Sequence, residues 1–183
     1  MTKLGIIVGS LREGSFSQQW ADNLTDIFPD DWDKSFLEIG DLPLYNEDFD
    51  AEGADTPSEY GRFRKEMSDT DAVLFVTPEY NRSMPASIKN ALDVGSRPYG
   101  ESIWEGKPAL VASHSISGIS GFGANHSIRQ SLVFLNMPVL QQPEVYLANS
   151  QDLLEDGKIN NEGTQEFLQS VVDAYVEFAK KFI

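Results

Sequence analysis

The sequence predicts an α/β domain built around a parallel β-sheet. Short apolar runs rich in β-branched residues alternate with longer runs of helical periodicity, which is the pattern of consecutive βαβ units. The 183 residues include 40% hydrophobic and 11% aromatic side chains, a globular composition with enough apolar surface for one full core. No repeat, low-complexity stretch or long linker divides the chain, so we expect a single domain over residues 1–183.

The first three predicted elements are a strand, a helix and a second strand. Residues 3–8 form an apolar run typical of a buried strand, and residues 17–28 have helical spacing that Pro29 ends. We predict the second strand over residues 34–39, before a loop rich in Pro, Asn and Asp.

A helix, the most apolar strand and a further helix come next. The helices are predicted over residues 57–68 and 85–94, and Pro85 lies near the first turn of the second one, where proline fits best. Between them, residues 72–77 read Ala-Val-Leu-Phe-Val-Thr, a strongly apolar run that predicts a buried strand.

The remaining chain predicts two strands and two helices. We expect a fourth strand over residues 108–113, a helix over about 124–135 and a fifth strand near 139–141, with residues 145–147 considered as its extension. A C-terminal helix follows from the spacing of Phe167, Leu168, Val171, Tyr175, Phe178, Ala179 and Phe182. Five strands with interleaved helices fit a flavodoxin-like three-layer α/β/α fold, with a five-stranded parallel sheet in the order 2-1-3-4-5.

The composition excludes several classes of partner and chemistry. The net charge is −15 at pH 7, which is unfavourable for binding nucleic acid or an anionic membrane. No apolar run reaches the roughly 20 residues of a membrane-spanning helix, and the N-terminus has no signal-peptide pattern, so we expect a cytoplasmic location. The absence of cysteine excludes disulfides and thiolate nucleophiles. An anionic ligand would therefore need a local exception to the acidic field.

Three loops follow the carboxyl ends of predicted strands, where open parallel sheets bind ligands. The first loop, residues 9–17, contains two glycines, three serines and Arg12, and leads into a helix N-terminus. Backbone N–H groups, hydroxyls and the fork of a guanidinium are suited to phosphate oxygens. The loop has neither the P-loop pattern nor the three spaced glycines of dinucleotide-binding turns. The alternative is an ordinary strand-to-helix turn in which Ser15 or Ser17 caps the helix.

The second loop has the composition of a site for a flat heterocycle, and the third has glycines that admit a ligand. In the second loop, residues 77–85, prolines stiffen the chain around Tyr80 and Asn81, which offer a planar face and an amide. A rigid surface turn is the alternative there. In the third loop, residues 113–123, three glycines permit close approach of a ligand to the backbone. A flexible connector is the alternative for this loop.

These loops together resemble the NADPH-dependent FMN reductase family, which includes quinone, chromate and azo-dye reductases. The resemblance is carried by the first loop, by Pro78-Glu79-Tyr80-Asn81 with Lys89-Asn90-Ala91-Leu92-Asp93, and by the glycine-rich third loop. It extends from the first strand to about residue 143. The resemblance implies an FMN-dependent oxidoreductase that passes hydride from NADPH or NADH through FMN to a small acceptor such as a quinone, free flavin, azo compound or metal oxyanion. It also implies a homodimer or homotetramer.

The same resemblance assigns site residues to the three loops. Those that would hold the FMN phosphate and adjoining groups are Ser10, Arg12, Ser15, Phe16 and Ser17. Those that would line the ribityl chain and ring are Pro78, Glu79, Tyr80 and Asn81, and those that would approach the far edge of the ring are Ser115, Ser117 and Gly118. Position 17, commonly Asn in the family, is Ser17 here, which keeps a donor but shortens it. No strictly catalytic residue is assigned, because the flavin itself carries the chemistry.

Other functions remain as alternatives. The first is a flavodoxin-type FMN electron carrier that acts with a protein partner, for which an acidic surface would be suitable. The second is an interaction module without flavin. A metal site is not expected, because His114 and His126 are the only histidines and no further ligands converge with them in spacing. A serine hydrolase is not expected either, because no Gly-x-Ser-x-Gly turn follows a strand.

Overall fold

A five-stranded parallel sheet in the order β2-β1-β3-β4-β5 forms the centre of the molecule, and the computed structural model describes all residues from 1 to 183. The strands of this sheet are β1 (Thr2–Val8), β2 (Trp32–Phe36), β3 (Ala72–Thr77), β4 (Ala109–His114) and β5 (Val145–Leu147). The helices are α1 (Phe16–Ile27), α2 (Ser58–Ser68), α3 (Ala86–Gly95), α4 (Phe122–Phe134), α5 (Ser150–Leu153) and α6 (Glu162–Ala179). The predicted α/β class and the flavodoxin-like strand order are thus confirmed. No helix of the chain is both long and apolar enough to cross a membrane.

Two hydrophobic cores lie on opposite faces of the sheet. Alternate residues of each central strand point to opposite faces, so Leu74 packs in the core beneath α1 and α6, whereas Phe75 packs beneath α2, α3 and α4. Trp20 of α1 is fully buried in the first core, and Trp104 is fully buried in the second. Because both faces are covered, the carboxyl edge of the sheet is left as the place where loops can form a site.

The two outer strands differ from their predicted positions. β2 begins at Trp32 and ends at Phe36, earlier than the predicted 34–39, because the backbone N–H of Leu37 makes the last bond to β1 before the chain turns away. The strand predicted at 139–141 is wrong. Val139 makes only an isolated bridge to Ala109, and the regular pairing with β4 occurs over Val145–Leu147. The intervening Pro143 has no N–H with which to continue a ladder.

Three small elements were not predicted, namely the short helix α5 (Ser150–Leu153), a 3-10 helix and a hairpin. A 3-10 helix covers Glu47–Asp50 in the loop after β2, and its Asp50 forms a 2.8 Å ion pair with Arg64 of α2. A hairpin of β6 (Leu154–Glu155) and β7 (Lys158–Ile159) precedes α6. Its turn is Asp156-Gly157, both with positive φ, which is a strong hairpin signal in a sequence.

Candidate functional site

The three loops meet at the carboxyl ends of β1, β3 and β4. Val8 pairs with Val76, and Thr77 pairs with Ser113, so the three strands end side by side. A cavity of about 240 Å³ lies between the loops. It is lined by Ser10, Arg12, Ser15, Phe16, Ser17, Pro78, Glu79, Tyr80, His114, Ser115 and Ile116. Nine of the twelve residues named from the sequence are in this lining, and Asn81, Ser117 and Gly118 are not.

The first loop presents unpaired donors at the start of α1. Ser15 is the N-cap, and its hydroxyl accepts a hydrogen bond from the backbone N–H of Gln18 at 3.2 Å. The backbone N–H groups of Phe16 and Ser17 donate to no acceptor in the protein. The first turn of α1 contains no acidic residue. A helix N-terminus with free N–H groups attracts anions, so helix capping and phosphate binding can coexist in this loop.

Arg12 is the only Lys or Arg side chain in the cavity lining. Its side chain is exposed and lines the cavity, and it takes part in none of the seven ion pairs of the chain. Arg12 and Ser10 also line a second, larger cavity of about 650 Å³ on the side of β2. In a chain with a net charge of −15, this unpaired guanidinium is the local exception that an anionic cofactor requires.

Ser17 lies deeper than the loop that precedes it. It is fully buried, and its Oγ lies 2.6 Å from Nε2 of His114, the last residue of β4. Burial lowers the pKa of His114 from 6.5 to about 4, so the imidazole is neutral at neutral pH. From the sequence, His114 is considered only as a metal ligand, and its place in the cavity is not predicted. The only available signal was its position directly after an apolar strand.

The second loop forms a tight turn at the mouth of the cavity. Tyr80 and Ser83 exchange two backbone hydrogen bonds of 3.0 Å, and Asn81 and Arg82 between them have φ values of 50° and 67°. This is the geometry of a two-residue primed turn, in which Asn is favoured. Asn81 therefore lies at the exposed tip of the turn, whereas the half-exposed ring of Tyr80 lines the cavity.

Glu79 fixes the second loop to the start of α4. Its Oε2 accepts hydrogen bonds from the backbone N–H groups of Gly123 at 2.7 Å and Ala124 at 3.3 Å, and its Oε1 lies 3.3 Å from Arg82. The carboxylate thus acts as a cap on α4, whose N-cap residue, Gly121, has no side chain. Position 123 needs glycine because a Cβ there would lie 2.5 Å from the carbonyl oxygen of Arg82.

The third loop is ordered around the hydroxyl of Ser115. This oxygen accepts from the backbone N–H groups of Ser117 and Ser120, both at 3.1 Å. Ser117 and Gly118 are exposed at the outer end of the loop. The loop also exposes Ile116 and Ile119, and Ile116 lines the cavity, so one side of the cavity is apolar.

The charges and shape of the site fit a phosphorylated planar cofactor. The helix N-terminus and Arg12 are suited to the phosphate, and the Pro78–Tyr80 segment with the apolar third loop is suited to a ring. The chain contains no group of three His, Cys, Asp or Glu side chains placed to hold a metal ion.

Comparison with known proteins agrees with this geometry. A family model described as NADPH-dependent FMN reductase matches residues 2–152. A quinone reductase of Pseudomonas putida is 52% identical over 177 residues, which are 97% of this chain and 94% of the relative. A 2-hydroxy-1,4-benzoquinone reductase of a Burkholderia species is 38% identical over 97% of this chain and 96% of its own length. FerB of Paracoccus denitrificans, described as a flavoenzyme NAD(P)H:(acceptor) oxidoreductase, superposes with a TM-score of 0.91 at 36% identity and covers 100% of this chain and 99% of its own.

Proposed function

The chain belongs to the NADPH-dependent FMN reductase family and is an NAD(P)H-dependent flavoenzyme, and from this premise we propose that it reduces quinones with FMN held between the three loops. The observation that carries the placement is the convergence of the loops on one cavity, where the free N–H groups of α1 adjoin the unpaired Arg12. The electron-carrier alternative has no support from the relatives, which bear the names of reductases.

Each loop has a distinct task in this proposal. Arg12 and the start of α1 bind the phosphate, which compensates its charge within an acidic protein. Tyr80 and Pro78 lie against the ring. Glu79 holds their loop in place by accepting a hydrogen bond from the start of α4. When FMN is bound it supplies the hydride and electron-pair chemistry, so the chain needs no acid or base of its own. Asn81, Ser117 and Gly118 lie outside the cavity lining and are proposed as contacts for the outer part of the ring or for the acceptor.

A quinone fits the mouth of the cavity better than an oxyanion does. Ile116 is part of the cavity lining and is 67% exposed, so a neutral planar acceptor would cover apolar surface there. A metal oxyanion would have to approach a protein with a net charge of −15. The names of the relatives at 52% and 38% identity point to the same class of acceptor.

Anaerobic flavin spectroscopy tests this function. FMN-loaded protein should lose its yellow absorbance on addition of NAD(P)H, and one equivalent of a benzoquinone should restore it faster than chromate or an azo dye does. A flavin that stays yellow with both NADH and NADPH would contradict the reductase. Return of colour no faster with quinone than with chromate would contradict the quinone assignment alone.

We also propose that the enzyme is a homodimer or homotetramer. Outside the cavity, Tyr99, Val133 and Phe134 are 92%, 75% and 85% exposed, which is unusual for large apolar side chains. Pairing of copies through surfaces that include these side chains would cover them. A solution mass of 20.4 kDa by light scattering, that of one chain, would contradict the proposal.

A further inference from the structure

A chain of buried polar groups leads from the core to the cavity. The indole N–H of Trp20 donates to Ser150 Oγ at 3.0 Å, and Ser150 Oγ lies 3.3 Å from Nδ1 of His114. On the other side of the imidazole, Nε2 lies 2.6 Å from Ser17 Oγ. Trp20, Ser150 and Ser17 are fully buried and His114 nearly so, and Ser17 and His114 both line the cavity. The end of β4 therefore places the imidazole of His114 at the back of the proposed phosphate site.

Hydrogen-bond accounting leaves two arrangements for this chain of groups. An indole N–H can only donate, so Ser150 Oγ accepts from Trp20 and has a single O–H of its own to donate. Two groups lie 3.3 Å from Ser150 Oγ, namely His114 Nδ1 and the Ser115 carbonyl oxygen. If the Ser150 O–H donates to Ser115, then His114 carries its proton on Nδ1. In that case His114 Nε2 accepts a hydrogen bond from the O–H of Ser17.

In the second arrangement the Ser150 O–H donates to His114 Nδ1. The imidazole proton is then on Nε2, which donates to Ser17 Oγ. The O–H of Ser17 is left free, since His114 is the only partner of that hydroxyl in the protein. The two arrangements differ in the position of one proton on a neutral ring and in the rotation of two hydroxyls, so they have the same net charge.

An anion in the cavity distinguishes the two arrangements. In the first, Ser17 would present lone pairs to a phosphate oxygen, which is repulsive. In the second, Ser17 presents a donor, and a hydrogen bond to an ionised acceptor is stronger than one between neutral groups. We propose that His114 is a positioning residue for the FMN phosphate. It holds the Nδ1–H form in the free protein and the Nε2–H form with FMN bound, where it turns the Ser17 hydroxyl towards the phosphate.

This inference rests on the proposed placement of the phosphate and explains a departure of the sequence. An Asn amide, which the family resemblance implies at position 17, always has N–H groups to donate. A serine hydroxyl has one proton, which a neighbouring acceptor can capture. The imidazole of His114 lies 2.6 Å from this hydroxyl and decides the direction in which its proton points.

Nitrogen-15 NMR of the histidine rings reads the proton position directly. The chain has two histidines, so the spectrum of His126→Gln assigns the signals of His114. We expect His114 to be protonated on Nδ1 in the free protein and in the riboflavin complex, and on Nε2 in the FMN complex. The same form in all three states, or a change produced by riboflavin, would overturn the proposal.

Binding measurements separate positioning from a purely structural role. His114→Leu should weaken FMN binding by roughly 10- to 100-fold, the range for a hydrogen bond to a charged group, and leave riboflavin binding unchanged because riboflavin lacks the phosphate. His114→Gln should largely restore FMN affinity, because its amide nitrogen can donate to Ser17 as Nε2 does. In a Ser17→Ala background, His114→Leu should cause no further loss. Equal loss of both ligands in His114→Leu, or no rescue by Gln, would contradict the positioning role.

Arg12→Ala keeps this inference separate from the proposed function. If Arg12→Ala selectively weakens FMN but His114→Leu does not, the phosphate site stands and the role of His114 is wrong. If neither variant distinguishes FMN from riboflavin, the placement of the phosphate is itself wrong.

Discussion

Burial of His114 lowers its pKa to about 4, whereas an imidazole in an unfolded chain titrates near 6.5. Between pH 6.5 and pH 4 the imidazole of His114 is protonated in the unfolded chain but stays neutral in the folded protein. The associated stability is therefore complete above pH 6.5 and is lost progressively as the pH falls towards 4.

We expect this residue to contribute about 3 kcal/mol to the pH dependence of folding, at 1.36 kcal/mol per pKa unit. Urea unfolding at pH 7.5 and pH 4.5 measures this change in the free energy of unfolding. His114→Gln is the comparison, because that variant keeps hydrogen-bonding groups and cannot titrate. The loss of unfolding free energy on acidification should be smaller in the variant. Identical losses in the two proteins would show that His114 is not the residue responsible.

At the scale of elements, the second loop and α4 depend on one carboxylate. Glu79 accepts two backbone N–H bonds at the start of α4, and its side chain is 10% exposed. Glu79→Gln removes the charge that complements the helix dipole but keeps the size of the side chain. The unfolding free energy should fall by about 1–2 kcal/mol.

Glu166→Gln is the matched control for this change. Glu166 is exposed on α6, and its carboxylate makes no hydrogen bond or ion pair, so its loss changes the net charge equally without removing a cap. Denaturant titrations of the two variants should differ by the stated amount. If Glu79→Gln were no less stable than Glu166→Gln, the capping role would be refuted.

The elements also show what local sequence can and cannot reveal. The apolar run of β3 was predicted residue for residue, because a strand buried on both faces needs no polar alternation. The outer strands, β2 and β5, begin and end at other residues than predicted, because their ends depend on which neighbouring strand offers hydrogen bonds. The Asp156-Gly157 pair is typical of a hairpin turn, so the hairpin of β6 and β7 is recognisable from local sequence.

Long-range contacts within the site could not be predicted. Ser17 and His114 are 97 positions apart, and Glu79 and Gly123 are 44 apart. Each contact arises only once the strand order brings the ends of β1, β3 and β4 together. The sequence therefore predicted the residues of the cavity better than it predicted the task of each side chain, as Ser17 and Glu79 show.

At the scale of the whole molecule, the acidic surface would make the proposed binding of a phosphate selective. A net charge of −15 disfavours anions in general, whereas the start of α1 and Arg12 provide positive potential at one place. We therefore expect Arg12 to be the charged side chain on which cofactor binding depends most strongly.

Fluorescence titration with FMN and with riboflavin, for wild type and Arg12→Ala, tests this role of Arg12. Lys181→Ala is the control, because it removes one positive charge from an exposed residue outside the cavity lining. Arg12→Ala should weaken FMN binding by at least roughly tenfold, leave riboflavin binding unchanged, and differ clearly from Lys181→Ala. An unchanged dissociation constant for FMN in Arg12→Ala would contradict the assignment of the phosphate site.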